Sequence, residues 1–137
     1  MKEVAVAVGV ILNEGRQILL ARRPDDKHQG GLWEFPGGKI EAGESTPEAL
    51  VRELAEELGL QLDTGCMSAL TEVRFQYPDK AVRLDVWCVE LTAEQETQAH
   101  GAEGQPIVWA DAESLAGYEF PAANEPIVTA VRKKLLG

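Results

Sequence analysis

Apolar and polar residues alternate along this chain in a pattern that predicts several strands around a central helix. Val4–Leu12 is continuously apolar and runs into the turn-forming Asn13-Glu14-Gly15, which predicts a buried strand. Gln17–Ala21 is then predicted to return as the second strand of a hairpin. The same reasoning predicts extended segments at Trp33–Phe35, Cys66–Tyr77, Ala81–Leu91 and Ile107–Ala110, a loop over residues 22–31, a turn at Gly37-Gly38 and a polar stretch over residues 92–105.

The signals for a central helix are the clearest in the chain. Ser45 or Thr46 can act as its N-cap, and Pro47 suits the first turn, where its missing N–H is not needed. Gly59 is suited to end the helix in a left-handed conformation. Helices are also predicted at Asp111–Ala116 and Asn124–Leu136. Strands on both sides of a helix predict the α/β (α+β) class, with a mixed sheet between helices.

The central helix carries an acidic face. At about 100° per residue, Glu53, Glu56 and Glu57 fall on one side, while Leu54 and Leu58 fall on the other. Three carboxylates on one stripe repel each other unless a cation lies between them, and oxygen ligands of this kind suit Mg²⁺ or Mn²⁺. A Glu-Glu pair alone would be more typical of a solvated face. The surrounding residues decide between the two interpretations.

A spaced set of residues extends from Gly38 to Leu60. It consists of Gly38, Glu44, Arg52-Glu53-Leu54, Glu56-Glu57 and Gly59-Leu60. This set resembles the Nudix box, a loop–helix–loop that holds divalent metal against a nucleotide diphosphate. The resemblance implies that Gly37 lends a backbone carbonyl to the metal, that Arg52 orients a carboxylate, and that the fold is the Nudix α/β/α sandwich.

Length, charge and cysteine content restrict the possible functions. The chain has 137 residues, so we expect a single domain over 1–137. Its formal net charge of −10 argues against binding of duplex nucleic acid, whereas a free nucleotide remains compatible. Cys66 and Cys88 lack metal-ligand spacing, which favours reduced thiols. With no targeting or membrane-spanning segment in the sequence, we expect a cytoplasmic monomer that does not bind membranes.

Most of the chain resembles the MutT-type 8-oxo-dGTP diphosphatases within the Nudix family. The matching stretches are AVGVILNE, Arg22-Arg23, EFPGGKIE from Glu34, EGQP from Glu103 and FPAANEP from Phe120. The resemblance implies Mg²⁺-dependent hydrolysis of 8-oxo-dGTP to 8-oxo-dGMP and pyrophosphate, with Mn²⁺ as a substitute. Such an activity removes oxidised nucleotide from the pool and prevents mutation during DNA replication and repair.

Asn124 is the position most informative about the substrate. In the MutT-type family the Asn of the FPAANEP segment reads the oxidised purine. The chemistry agrees, because 8-oxoguanine presents an N7–H donor beside the O6 acceptor and a side-chain amide offers both complementary groups. From the residues alone, the favoured role of Asn124 is the N-cap of the terminal helix, whereas the resemblance favours base recognition. Both roles could hold in part.

The resemblance also assigns the remaining site residues. Arg23, His28, Glu34, Phe35, Pro36, Gly37 and Lys39 match substrate-contacting positions, with Glu34 and Phe35 against the base and its sugar. Glu103 is a candidate metal ligand or auxiliary base. The predicted catalytic set is Glu53, Glu56, Glu57 and Glu103, and the predicted metal ligands are the same four with Gly37. Lys80 departs from the family's best-known member, which has Arg there.

Two alternatives remain at this point. The first is a Nudix pyrophosphohydrolase acting on CTP or on an oxidised pyrimidine triphosphate, because such enzymes also carry the GLWEF segment found at Gly31. The second is a catalytically inactive module that senses a nucleotide. Modules of that kind typically lose box carboxylates, whereas Glu53, Glu56 and Glu57 are all present here.

Overall fold

The structure, a computed structural model, describes residues 2–25 and 30–137. His28, predicted to contact substrate, lies outside the described residues. The strands are β1 (Glu3–Leu12), β2 (Ile18–Arg22), β3 (Trp33–Glu34), β4 (Gly37–Lys39), β5 (Met67–Gln76), β6 (Ala81–Glu90) and β7 (Ile107–Ala110). The α-helices are α1 (Thr46–Leu58), α2 (Ala93–Gln98) and α3 (Glu125–Leu136), and 3₁₀ helices span Thr64–Cys66, Ala112–Gly117 and Ala122–Asn124.

The strands form one mixed sheet in which β1 has a central place. The main path runs β3-β2-β1-β6-β5, with β4 also paired to β1 and β7 paired to β2. Only the β1–β6 pairing is parallel among the described pairs, and it extends over the full length of both strands, from Glu3 opposite Ala81 to Leu12 opposite Glu90. The predicted mixed sheet with helices is therefore confirmed.

Alternate residues of β1 pack on opposite faces of the sheet, as the period of a strand requires. Ala7 and Ile11 join the core beneath α1, which includes Leu50 and Leu54. Val8, Val10 and Leu12 join the other core, which α3 covers with Ile127 and Val131. Since both faces are covered, β1 is without polar side chains from Val4 to Leu12, and this explains why its sequence shows no polar alternation.

Helix α1 begins and ends as predicted. The Ser45 hydroxyl accepts a hydrogen bond from the Glu48 backbone N–H, and the Glu48 carboxylate accepts one from the Ser45 backbone N–H, which completes a capping box. Gly59 ends the helix with φ of 70°. Buried Leu50, Leu54 and Leu58 pack the apolar face against the sheet, which leaves the acidic face toward Gly37 at the start of β4.

One local prediction is wrong, and one short helix was not predicted. Gly37 and Gly38 belong to β4 and pair with Val8 and Ala7 of β1, because two glycines leave the backbone free to pair while giving no side-chain pattern. The polar stretch after Thr92 contains α2, whose start has a capping box between Thr92 and Gln95. That box could have been read from the T-x-x-Q spacing, but the short helix lacks an apolar stripe. No helix among the described residues is both long and apolar enough to span a membrane.

Candidate active site

The site is organised around the close approach of the Gly37-Gly38 backbone to α1. A Cβ at Gly37 would lie 1.9 Å from the carbonyl oxygen of Ala7, so only glycine allows this strand to pack here. A Cβ at Gly38 would lie 2.4 Å from the carboxylate carbon of Glu53. The Gly37 N–H donates a 3.2 Å hydrogen bond to Oε2 of Glu57. The two glycines therefore bring bare backbone against two carboxylates of the helix.

Arg52, in the middle of α1, hydrogen-bonds two carboxylates and holds them in place. Its Nε and Nη2 donate to the two carboxylate oxygens of Glu44 at 2.8 and 2.9 Å, which is a bidentate pair. Its Nη1 donates to Glu53 at 2.8 Å, and Nη2 also reaches the backbone carbonyl of Lys39 at 3.0 Å. Hydrogen bonding to Arg52, together with the Glu41 N–H, lowers the pKa of Glu44 to about 2. The prediction that Arg52 orients a carboxylate agrees with this geometry.

Glu57 lies at the centre of an acidic cleft, which Glu34, Glu57, Glu103 and Gln105 line together with Arg22. Burial, followed by the negative charges of Glu53, Glu34 and Glu103, raises the pKa of Glu57 to about 8. The Gly37 N–H opposes this shift only in part. Without a cation the cleft therefore favours a proton on Glu57, and a bound cation would replace that proton.

The donor chemistry of this cleft fits a hard divalent cation. Glu34, Glu57 and Glu103 line the cleft with carboxylate oxygens, and no thiol or imidazole is found among the described residues that line it. Glu53 lies near enough to raise the pKa of Glu57, and the half-buried backbone of Gly37 is hydrogen-bonded to Glu57. In the part of the chain that the structure describes, no three His, Cys, Asp or Glu side chains already converge in a metal-binding group. Glu53, for example, is engaged by Arg52. The carboxylates lie near one another and have the charge that a cation requires, but their side chains would have to change rotamer to bind one together.

A second cleft adjoins the first and is more neutral. Arg23, Glu34, Phe35, Lys39 and Asn124 line it together with Gly37, Gly38, Leu84 and three residues of β1. It continues past Arg23, Leu84 and Asn124 toward Tyr77, Lys80 and Val82. Glu34 lines both clefts and forms a 2.7 Å ion pair with Arg23. We call the second one the Asn124 cleft.

Asn124 does not cap the terminal helix. The 3₁₀ helix Ala122–Asn124 leads directly into α3, so Asn124 already has a helical backbone, with φ −88° and ψ −11°. A capping side chain normally needs an extended backbone at this position, and no side-chain cap bond forms. The capping interpretation is therefore wrong. The half-buried amide makes no hydrogen bond to any residue that the structure describes.

The walls of the Asn124 cleft are held by aromatic packing. Phe35 is buried and stacks on Phe120 with ring centroids 5.2 Å apart and planes 9° apart. Trp33 contacts Tyr118 edge-on at 5.4 Å. These two pairs tie β3 and the residue after it to the segment that precedes Asn124. The sequence signal for them was the FPAANEP stretch, but their pairing depends on the fold.

The structure brings together most of the predicted site residues that it describes. Glu34, Glu57 and Glu103 share the acidic cleft with Pro36, while Arg23, Phe35, Gly37, Lys39 and Asn124 share the Asn124 cleft. Glu56 is exposed at the edge of the helix face and lines neither cleft. Sequence reasoning missed Leu84, Tyr77 and Gln105 as lining residues, and of these only Gln105 had a signal, as part of the EGQP segment.

Comparison with known proteins places this arrangement in a family. The family model described as the NUDIX domain matches residues 7–130. The chain therefore belongs to the Nudix family, whose hydrolases generally need a divalent metal. The predicted family and fold class are confirmed.

Several known proteins are similar in sequence to this chain over nearly its whole length. The 8-oxo-dGTP diphosphatase of Escherichia coli (strain K12) is 39% identical over 133 residues, which cover 97% of this chain and 99% of that protein. The CTP pyrophosphohydrolase of the same organism is 38% identical over 130 residues, which cover 95% and 92%. A structure from work on MutT of Aliivibrio salmonicida and Vibrio cholerae has a TM-score of 0.78 and 38% identity, covering 98% of this chain and all of that one.

Proposed function

We propose that this chain is a Mg²⁺-dependent nucleoside triphosphate pyrophosphohydrolase that converts 8-oxo-dGTP to 8-oxo-dGMP and pyrophosphate. Several relatives with the name 8-oxo-dGTP diphosphatase support the reaction, including that of Haemophilus influenzae, 36% identical over 93% of this chain. The observation that supports this substrate is that the side-chain amide of Asn124 lines the Asn124 cleft and has no hydrogen-bond partner among the described residues.

The triphosphate fits across the two clefts. The base would occupy the Asn124 cleft, where the amide carbonyl accepts from N7–H and the amide N–H donates to O6. Guanine has an acceptor at N7, so it would leave the amide carbonyl facing a lone pair. The phosphates would then extend past Gly37 and Glu34 to the acidic cleft. Lys39 and Arg23 lie along this path and can offset phosphate charge.

Residues of the box would direct the hydrolytic step. When bound, Mg²⁺ would neutralise charge that develops on the phosphates. Glu53, Glu56, Glu57, Glu103 and the Gly37 carbonyl are the proposed ligands. Glu53 is our assignment for orienting or deprotonating the water, since Arg52 fixes one of its oxygens at 2.8 Å. The water oxygen bonds to the β-phosphorus, the bond from that phosphorus to the α–β bridging oxygen breaks, and 8-oxo-dGMP departs with the bridging oxygen.

The cellular role follows from the reaction. An enzyme that hydrolyses 8-oxo-dGTP prevents its incorporation into DNA, so we assign the chain to nucleotide-pool sanitation in the cytoplasm. The net charge of −10 supports action on free nucleotide and not on duplex DNA. We also propose that the chain acts as a monomer.

A second candidate substrate is CTP, which the 38% identical pyrophosphohydrolase favours. A panel of 8-oxo-dGTP, dGTP and CTP, compared by kcat/KM, separates the two. We expect 8-oxo-dGTP to give the highest value, pyrophosphate to be the first product, and ¹⁸O from labelled water to appear in pyrophosphate. Orthophosphate as first product, or full activity in EDTA, would overturn the reaction. A preference for CTP would overturn the substrate only.

A further inference from the structure

The loop that bears Glu103 is docked on the C-terminal end of α1. The backbone N–H of His100 donates to the carbonyl of Leu58 at 3.1 Å, and that of Ala102 donates to the carbonyl of Glu57 at 2.9 Å. These carbonyls belong to the last turn of the helix, where no intrahelical donor is available. The loop therefore provides hydrogen-bond donors for the carbonyls at the end of the helix. One of these carbonyls belongs to Glu57, whose side chain lies in the acidic cleft.

The side-chain amide of Gln105 closes this loop. Its Nε2 donates to the backbone carbonyl of Glu57 at 2.8 Å, and its Oε1 accepts from the backbone N–H of Glu103 at 2.9 Å. The orientation is unambiguous, because a carbonyl can only accept and an N–H can only donate. One planar amide thus joins the backbones of Glu57 and Glu103.

The neighbouring backbone leaves the loop little freedom. A Cβ at Gly101 would lie 1.9 Å from the carbonyl oxygen of Gln105, so the two strands of the loop touch. Gly104 turns the chain with φ of +84°, and its N–H donates to the Gly101 carbonyl at 3.0 Å. On the far side, the Arg22 N–H donates to the carbonyl of Pro106 at 3.1 Å, just before β7. The exposed Glu103 side chain, by contrast, has no hydrogen bond to the described residues.

We infer that Gln105 is a positioning residue, which holds Glu103 at a defined place beside Glu57 in the acidic cleft. The inference rests on the proposed role of Glu103 in hydrolysis. Gln105 needs no contact with substrate or metal for this role, since it acts through the backbone of Glu103. Both the N–H and the carbonyl of the Gln105 amide are hydrogen-bonded within the protein, whereas the Asn124 amide has no hydrogen bond to the described residues.

The test combines kinetics with amide hydrogen exchange. Gln105→Met keeps the side-chain length but removes both hydrogen bonds, and Gln105→Glu, which keeps the acceptor, serves if the first variant unfolds. Gln95→Met is the matched control, because Gln95 also accepts a backbone N–H, that of Thr92 at 3.0 Å, away from both clefts. We expect Gln105→Met to lower kcat by about 10–100-fold, to leave KM for the nucleotide unchanged, and to speed exchange of the Glu103 N–H in metal-free protein.

A double variant decides whether Gln105 acts through Glu103. Gln105→Met added to Glu103→Gln should cause no further loss, because the group being positioned is already gone. A fully additive loss, full activity of Glu103→Gln, or unchanged kcat despite faster exchange would each overturn the inference. Kinetics use whichever nucleotide of the panel the wild type hydrolyses fastest, and exchange needs no substrate. A wrong substrate proposal is thereby distinguished from a wrong role for Gln105.

Discussion

The two ends of the site are built in different ways. At the acidic end, one continuous segment places Gly37, Glu53 and Glu57 together through β4 and α1, and the loop of Glu103 completes the cleft. The Asn124 end draws on more distant segments, since Arg23 follows β2, Leu84 lies in β6 and Asn124 precedes α3. The first arrangement depends mainly on spacing within residues 37–57, and the second on how the sheet and α3 pack.

The ends also differ in how their polar groups are satisfied. Arg52 holds Glu44 and Glu53, and the Gly37 N–H holds Glu57, so these three carboxylates have partners before any ligand arrives, whereas the Glu103 side chain has no hydrogen bond to the described residues. The Asn124 amide has none among the described residues. Leaving a half-buried neutral amide to hydrogen-bond with water costs little free energy, whereas leaving clustered charges without partners costs much more. Most of these charged groups are therefore held in place in advance, whereas the Asn124 amide remains available to a ligand.

The largest effect is expected at the acidic end. Glu53→Gln removes the proposed base while keeping the size of the side chain and a hydrogen-bonding oxygen. We expect kcat to fall by about 10²–10⁴-fold, with a much smaller change in KM. Glu94→Gln on α2 is the control and should be fully active. Near-normal turnover of Glu53→Gln would place the base elsewhere, with Glu103 as the next candidate.

A smaller effect on rate, but a specific one, is expected at the neutral end. Asn124→Ala should reduce the preference for 8-oxo-dGTP over dGTP by roughly 10–100-fold, since each lost match is worth about 1–3 kcal/mol. Its melting temperature should stay close to that of wild type, because no cap is lost. The measurements are kcat/KM for both nucleotides and thermal unfolding.

Asn13 provides the opposite control. Its buried amide donates to Gln17 and Glu96 at 3.1 and 3.0 Å and accepts the Gln17 N–H at 2.8 Å. Asn13→Ala should lower the free energy of unfolding by about 1–3 kcal/mol and leave selectivity unchanged. If instead Asn124→Ala lowered stability and kept selectivity, the contrast between the two amides would be wrong.

The last prediction concerns stability and not activity, namely the pH dependence of unfolding in metal-free protein. The pKa of Glu57 is raised from 4.5 to about 8, so the folded state keeps a proton that the unfolded state releases in this range. The contribution of Glu57 to stability is therefore complete below pH 4.5 and is lost as pH rises toward 8. Glu44 acts oppositely: its pKa is lowered to about 2, and its contribution is lost as pH falls from 4.5.

The measurement is the melting temperature against pH in EDTA. Wild type should lose stability between pH 5 and pH 8 more steeply than Glu57→Gln, which has no proton to release there. Glu94→Gln should follow wild type. Equal slopes for wild type and Glu57→Gln would mean that Glu57 titrates normally, and the acidic cleft would then be better hydrated than its geometry indicates.

The sequence by itself determined the features that depend on local spacing. Ser45, Pro47 and Gly59 predict the bounds of α1, and the 3.6-residue period separates its acidic face from Leu54 and Leu58. The apolar run of β1 likewise predicts a strand buried on both faces. The box and the FPAANEP segment sufficed to identify the family, while base recognition by Asn124 stays a prediction.

Only the tertiary structure decided which of these groups meet. Helical spacing could not say that Glu57 is half-buried while Glu56 is exposed, because that depends on which edge of the helix β4 covers. Nor could it say that a 3₁₀ turn would give Asn124 a helical backbone and so prevent capping. The bridge from Gln105 to Glu57 joins residues 48 positions apart and follows no periodic pattern. Such contacts are set by packing of the whole chain, and local propensity contains no information about them.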